Sequence, residues 1–153
     1  MGDADHDEAG FAWTGQIPLR WRDLDAIGHI YHGEYLVLLD DARIAMFAAA
    51  VQPEPEFVIA RLELDYRGEV VLDDGPLTAA VQVVRVGRSS VTLRERLTTR
   101  LGRVAVESRC VVVLWDPVRR MAREVSDDER RALLAAPGSG ERPGARPSGD
   151  VAD

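Results

Sequence analysis

The chain contains no lysine; all 19 of its basic residues are arginine. It has a single cysteine, Cys110, so no intramolecular disulfide can form, and nothing calls for an oxidising compartment. Cys110 lies in the apolar run Cys110-Val111-Val112-Val113-Leu114-Trp115, which predicts a buried, inert thiol. No apolar run approaches the roughly 18 residues of a membrane-spanning helix. The first residues, Met1-Gly2-Asp3-Ala4-Asp5, lack the apolar centre of a signal peptide. A soluble, cytoplasmic protein is expected.

Positive charge is in deficit. Against the 19 arginines stand 26 acidic residues, a net charge of −7 in 153 residues. That balance argues against a nucleic-acid partner held through its phosphates and against a polybasic membrane contact. The acidity is concentrated at the ends. Residues 1–12 carry Asp3, Asp5, Asp7 and Glu8, whereas residues 13–136 have a net charge of only −2. Residues 1–12 read as a flexible acidic arm, and the Pro/Gly-rich residues 137–153 as a disordered tail. Between them, 13–136 is one domain. With 46% hydrophobic residues in the chain, it can bury a single core.

Hydrophobic periodicity orders this domain. Residues 16–22 read as a strand, with Pro18 marking an edge or bulge. From Glu34 to about Val51, the residues Tyr35, Leu38, Leu39, Ala42, Met46 and Ala49 recur at helical spacing, and Pro53 and Pro55 mark the stop. The period then drops to two. Leu62, Leu64 and Tyr66 oppose Arg61, Glu63, Asp65 and Arg67, and further alternating runs follow near 77–83, 90–100 and 104–115. Short Gly-containing turns between them predict successive antiparallel hairpins. Ser126 and Glu129 form a capping-box pattern for a last short helix to about Ala136. Strands that follow one another without intervening helices make the class α+β.

The loop 23–33 concentrates the chemistry. It holds two carboxylates, two imidazoles, a glycine and a tyrosine, and a helix begins directly after it. A helix head offers unpaired N–H groups and the positive end of a dipole, suited to an oxygen that gains negative charge during acyl transfer. A carboxylate just upstream can attack a carbonyl or activate water. Asp25 has a bland reading as well, because loop Asp residues commonly accept hydrogen bonds from nearby backbone N–H groups. His29 and His32, three apart with no Cys partner, are poor metal ligands.

The run Asp23-Leu24-Asp25-Ala26-Ile27-Gly28-His29-Ile30-Tyr31-His32-Gly33-Glu34-Tyr35, continued by Leu36 to Arg43, resembles the signature of hotdog-fold acyl-CoA thioesterases of the 4-hydroxybenzoyl-CoA thioesterase type. The resemblance implies a five-stranded antiparallel sheet wrapped around one long central helix. It implies Asp25 as nucleophile or general base and Gly28 as the residue that permits a tight turn. It implies an oxyanion donor in the backbone N–H near His32, with Tyr31 beside it, and Tyr35 as the helix tyrosine, chiefly a packing residue. It implies an acyl-CoA substrate, a homodimer or homotetramer with sites at subunit interfaces, and no metal; no cofactor is called for. Glu34 stands where this type often has Asn, close to the oxyanion site.

Three further expectations concern ligand contacts. His29 and His32 are candidates to touch substrate. Leu, Val and Met side chains of helix 34–51 are candidates to line an acyl pocket. Arg85, Arg88, Arg94, Arg96, Arg100 and Arg103 read either as a solvated sheet face or as a site for CoA phosphates, with Arg88, Ser89 and Ser90 in one turn. Glu95, in the apolar register between Leu93 and Leu97, needs a partner. Two rival functions are a catalytically silent acyl-CoA binder and a hotdog hydratase or dehydratase that pairs Asp25 with His29 or His32.

Overall fold

A computed structural model describes residues 11 and 13–135. Apart from Phe11, the arm at 1–12 and the tail at 137–153 lie outside the described residues. The elements in chain order are β1 (Trp13–Ile17), α1 (Glu34–Ala50), β2 (Phe57–Tyr66), β3 (Leu77–Val86), β4 (Ser90–Thr98), β5 (Val104–Asp116), β6 (Met121–Ala122) and α2 (Asp127–Leu134). The long strands form one antiparallel sheet in the order β1-β3-β4-β5-β2, with two-residue β6 paired to the end of β5. This is the α+β hotdog arrangement, with a sheet curled about α1.

α1 is apolar around most of its circumference, as befits a helix covered on several sides. Tyr35, Leu38, Leu39, Ala42, Ala45, Met46 and Phe47 are buried. They join a single core with Ile17, Leu77, Val81, Leu93, Leu97, Val106, Val112 and Leu114 from the inner face of the sheet. Cys110 belongs to that core, and burial pushes its thiol up to about 11.

The structure departs from the sequence reading in two places. The first strand spans Trp13–Ile17 and not the expected 16–22. It pairs with β3 only as far as Ile17 opposite Leu77, the first residue of β3. Pro18 then offers no N–H to a ladder, and Trp21–Asp23 close into a 3-10 turn. Second, the four later strands are not successive hairpins. β3, β4 and β5 meander, but β2 pairs with β5 rather than β3. The segment 67–76 between β2 and β3 is long enough to cross over, and it forms its own turn at Leu72–Asp74. β2 therefore lies at the sheet edge, which places Tyr66 beside the loop.

Candidate active site

The loop between β1 and α1 folds into a small hairpin. Leu24 bridges Ile30, the Asp25 N–H donates to the His29 carbonyl at 2.7 Å, and the Tyr31 N–H donates to the Asp23 carbonyl at 2.9 Å. Gly28 sits at the tip with φ +81°, a conformation that costs other residues steric strain. The loop is anchored from outside by His29 bridging Val71 and by the Ile30 N–H donating to Val70 O at 2.8 Å.

Asp25 is exposed. Its Oδ1 accepts from the N–H groups of Ile27 at 3.0 Å and His29 at 3.1 Å. Among the described residues Oδ2 accepts no hydrogen bond. One oxygen thus fixes the carboxylate to the loop, as a loop Asp commonly does. The His29 ring turns away towards Glu69, with Nε2 3.0 Å from its carboxylate.

At the head of α1, Glu34 N–H donates to Tyr31 O at 2.9 Å. Gly33 precedes the helix and no side chain caps it. Among the described residues, the backbone N–H groups of His32 and Gly33 have no acceptor. Two unpartnered donors therefore lie at the positive end of a helix. The Tyr31 ring packs against His32, with centroids 4.3 Å apart, and lies so close over Gly33 that an added Cβ would meet its Cε1 at 2.6 Å.

The Glu34 carboxylate turns away from these donors. Its Oε1 is 3.8 Å from Arg20 Nη2, and burial, followed by the neighbouring Asp23, raises its pKa. Asp23 is 1% exposed. Its Oδ2 accepts from the Arg20 N–H at 2.8 Å and its Oδ1 is 3.3 Å from Arg20 Nε. Asp23 is thus a structural acid. Tyr35 is buried, its phenol pushed up to about 12 by that burial and by Tyr66.

The structure does not bring Arg88, Ser89 and Ser90 to this loop within one chain. Ser90 starts β4 opposite Val113, whereas Tyr66, beside the loop, lies opposite Val106. Seven residues of strand separate those positions, roughly 20 Å. Arg88 is ion-paired with Glu124 and lines an open cavity of about 450 Å³ with Ser89, Arg119 and Arg123. The six arginines do not form one patch. Arg96 is buried against Glu107 at 2.9 Å, Arg100 donates to Asp73 O, and Arg103 pairs with Asp74. The helix residues expected to line an acyl pocket divide likewise. Leu38, Leu39 and Met46 are core, while Leu36 and Val37 are exposed.

Sequence reasoning missed Tyr66 and Glu69. Tyr66 closes the alternation Leu62-Leu64-Tyr66 and reads there as an apolar strand residue, but its polar tip reaches the loop: the hydroxyl donates to the His32 carbonyl at 2.9 Å.

A curled antiparallel sheet around one central helix, with an acid-bearing hairpin leading into the helix head, is the arrangement of a hotdog-fold protein. The chain belongs to the thioesterase superfamily, whose family model matches residues 27–111. It is similar to the acyl-CoA thioester hydrolase YbgC of Escherichia coli, with 23% identity over 120 residues, covering 74% of this chain and 87% of that protein. Among solved structures it is similar to a thioesterase from Thermus thermophilus complexed with coenzyme A and Zn. That match has 28% identity and a TM-score of 0.75, covering 83% of this chain and 95% of that one. A Staphylococcus aureus protein solved in complex with CoA, at 12% identity and a TM-score of 0.70 over 78% of this chain and 80% of its own, shares the fold. At the level of the family, the chemistry is acyl-CoA thioester hydrolysis. Among the described residues, no group of three or more His, Cys, Asp and Glu side chains is placed to hold a metal ion, and no helix is long and apolar enough to cross a membrane.

Proposed function

We propose that this chain hydrolyses an acyl-CoA to the free acid and CoA at the loop 23–33. Asp25 is the nucleophile or the general base, and the His32 N–H at the head of α1 is the oxyanion donor. The observation that carries this reading is the pairing of unpartnered groups on one short hairpin: Asp25 Oδ2 and the N–H groups of His32 and Gly33. Asp25 lies two ladder positions beyond Asp23, which sits beside Tyr31 and so next to the helix head, about 7 Å along the strand. A thioester between Asp25 and the helix head presents its carbonyl carbon to the acid and its carbonyl oxygen to the N–H. Asp25, or a water that it deprotonates, adds to the carbon, and the oxygen gains charge beside fixed donors. The C–S bond then breaks and the CoA thiolate leaves to take up a proton; where Asp25 itself has attacked, water cleaves the resulting anhydride to the free acid.

The other residues of the site have supporting parts. Gly28 closes the hairpin, Tyr31 and Tyr35 pack the helix head, and His29 borders the substrate path. Trp21 (80% exposed), Ile27 (74% exposed), Tyr31, Leu36 and Val37 leave apolar surface around the site in a single chain. A second copy of the chain, as homodimer or within a homotetramer, covers that surface and walls the acyl group. Arg88, Ser89 and Ser90 then serve CoA phosphates from a different subunit than the one whose Asp25 reacts.

Free-thiol release from a panel of acyl-CoAs tests this, for wild type, Asp25→Asn and Arg88→Ala. Asp25→Asn keeps an oxygen acceptor for the Ile27 and His29 N–H groups, so the hairpin survives while turnover falls by at least about 10³-fold. Arg88→Ala raises KM for CoA esters and leaves small non-CoA thioesters unaffected. Acyl-CoA binding without thiol release establishes the silent binder instead, and hydration of an enoyl-CoA without thiol release establishes the hydratase.

A further inference from the structure

The Tyr66 hydroxyl donates to the His32 carbonyl oxygen at 2.9 Å, joining the end of β2 to the head of α1 across 34 residues of sequence. That oxygen shares a peptide unit with the Gly33 N–H. The unit is planar and trans, so its C=O and N–H point in opposite directions. Holding the oxygen towards Tyr66 aims the Gly33 N–H away from it. The preceding unit is held in the same manner, because Tyr31 O accepts from the Glu34 N–H at 2.9 Å and the opposite end of that unit is the His32 N–H. Two successive peptide units thus have their oxygens engaged and their N–H groups unpartnered among the described residues.

The Tyr66 ring is itself held. It meets the buried Tyr35 ring edge-on, with centroids 5.5 Å apart and planes at 68°. Position 33 cannot carry a side chain without displacing the Tyr31 ring, so no Cβ intrudes beside this N–H. A hydrogen bond to a peptide oxygen also polarises the unit and strengthens its N–H as a donor.

We propose that Tyr66 is a positioning residue for thioester hydrolysis: its hydroxyl sets the His32–Gly33 peptide so that the Gly33 N–H is a second donor to the thioester oxygen, beside the His32 N–H. This rests on the assignment of the helix head as the oxyanion site. Tyr66 need not touch the reacting atoms; it acts through the peptide it holds.

Tyr66→Phe removes only the hydroxyl and keeps the ring against Tyr35. Its kcat falls by about 10-fold, the rate equivalent of one neutral hydrogen bond. KM and the melting temperature stay at their wild-type values. In amide-resolved NMR spectra of the protein without substrate, the Gly33 resonance shifts while amides distant from the loop do not. An unchanged kcat, a loss carried by KM, a lowered melting temperature that accounts for the loss, or an unmoved Gly33 amide each overturns the proposal. Failure of the underlying assignment looks different. In that case wild type releases no thiol, or Asp25→Asn is fully active, and the second donor falls with it. Failure of the Tyr66 proposal alone leaves an active wild type, an inactive Asp25→Asn and an unimpaired Tyr66→Phe.

Discussion

Arg43 of α1 and Glu95 of β4 form a two-pronged ion pair in the centre of the protein, with Nε to Oε1 at 2.5 Å and Nη2 to Oε2 at 2.9 Å. They are 2% and 1% exposed. The remaining Arg43 nitrogen reaches Asp40 at 3.4 Å. Glu95 interrupts an apolar strand face, and Arg43 an apolar helix face, so each is tolerated only because of the other.

Removing one partner leaves a buried charge. Arg43→Met or Glu95→Leu alone is predicted to cost about 3–5 kcal/mol of unfolding free energy, and the two combined to recover most of that loss. Urea unfolding midpoints of the two single variants and the double variant provide the check. Additive losses in the double variant would show that the two side chains are not coupled.

Gly28 gives a prediction of opposite character. A Cβ at this position would meet nothing within 4 Å, so the expected cost is purely that of φ +81°. Gly28→Ala should lose about 1–2 kcal/mol, and Gly28→Asn less, because Asn visits this region more readily. Thermal melts rank the three proteins. Equal melting temperatures for the Ala and Asn variants would contradict a conformational origin.

Glu34 supplies the pH dependence. Burial and Asp23 raise its pKa above the ordinary 4.5, against the pull of Arg20. The folded state therefore holds this proton more tightly than the unfolded chain. The resulting stabilisation is fully present below 4.5 and is lost as pH rises through the folded value, leaving ionised Glu34 a net cost at neutral pH. Glu34→Gln is predicted to raise the melting temperature at pH 7 and to give no gain at about pH 4 or below. A gain that persists unchanged at low pH would locate the effect elsewhere.

Element identity was legible because periodicity is a local property. The helical spacing that begins at Tyr35 and the two-residue alternation of Leu62 and Leu64 each follow from which face packs against the core. The family resemblance then supplied the sheet wrapped around the helix. Pairing order was less legible. Nothing local tells β2 to pair with β5 across the crossover at 67–76. The partner of Glu95 was likewise hidden, since Arg43 is 52 residues away in sequence and its i−3 neighbour Asp40 offers a nearer acid. At the candidate site, the loop holding Asp25 and Gly28 and the helix that follows it could be read from one short run of sequence. Tyr66 could not, because its contribution arises only when an edge strand meets that run in space.

The sealed thiol of Cys110 has a practical consequence. Thioester hydrolysis is followed by its liberated thiol, and the folded protein exposes none of its own: its one cysteine is in the core, with its thiol pushed up to about 11. A chromogenic thiol reagent therefore reports product without an enzyme blank. The same reagent audits each variant, since a chain that has lost its fold declares itself by a single stoichiometric equivalent of thiol before any substrate is added.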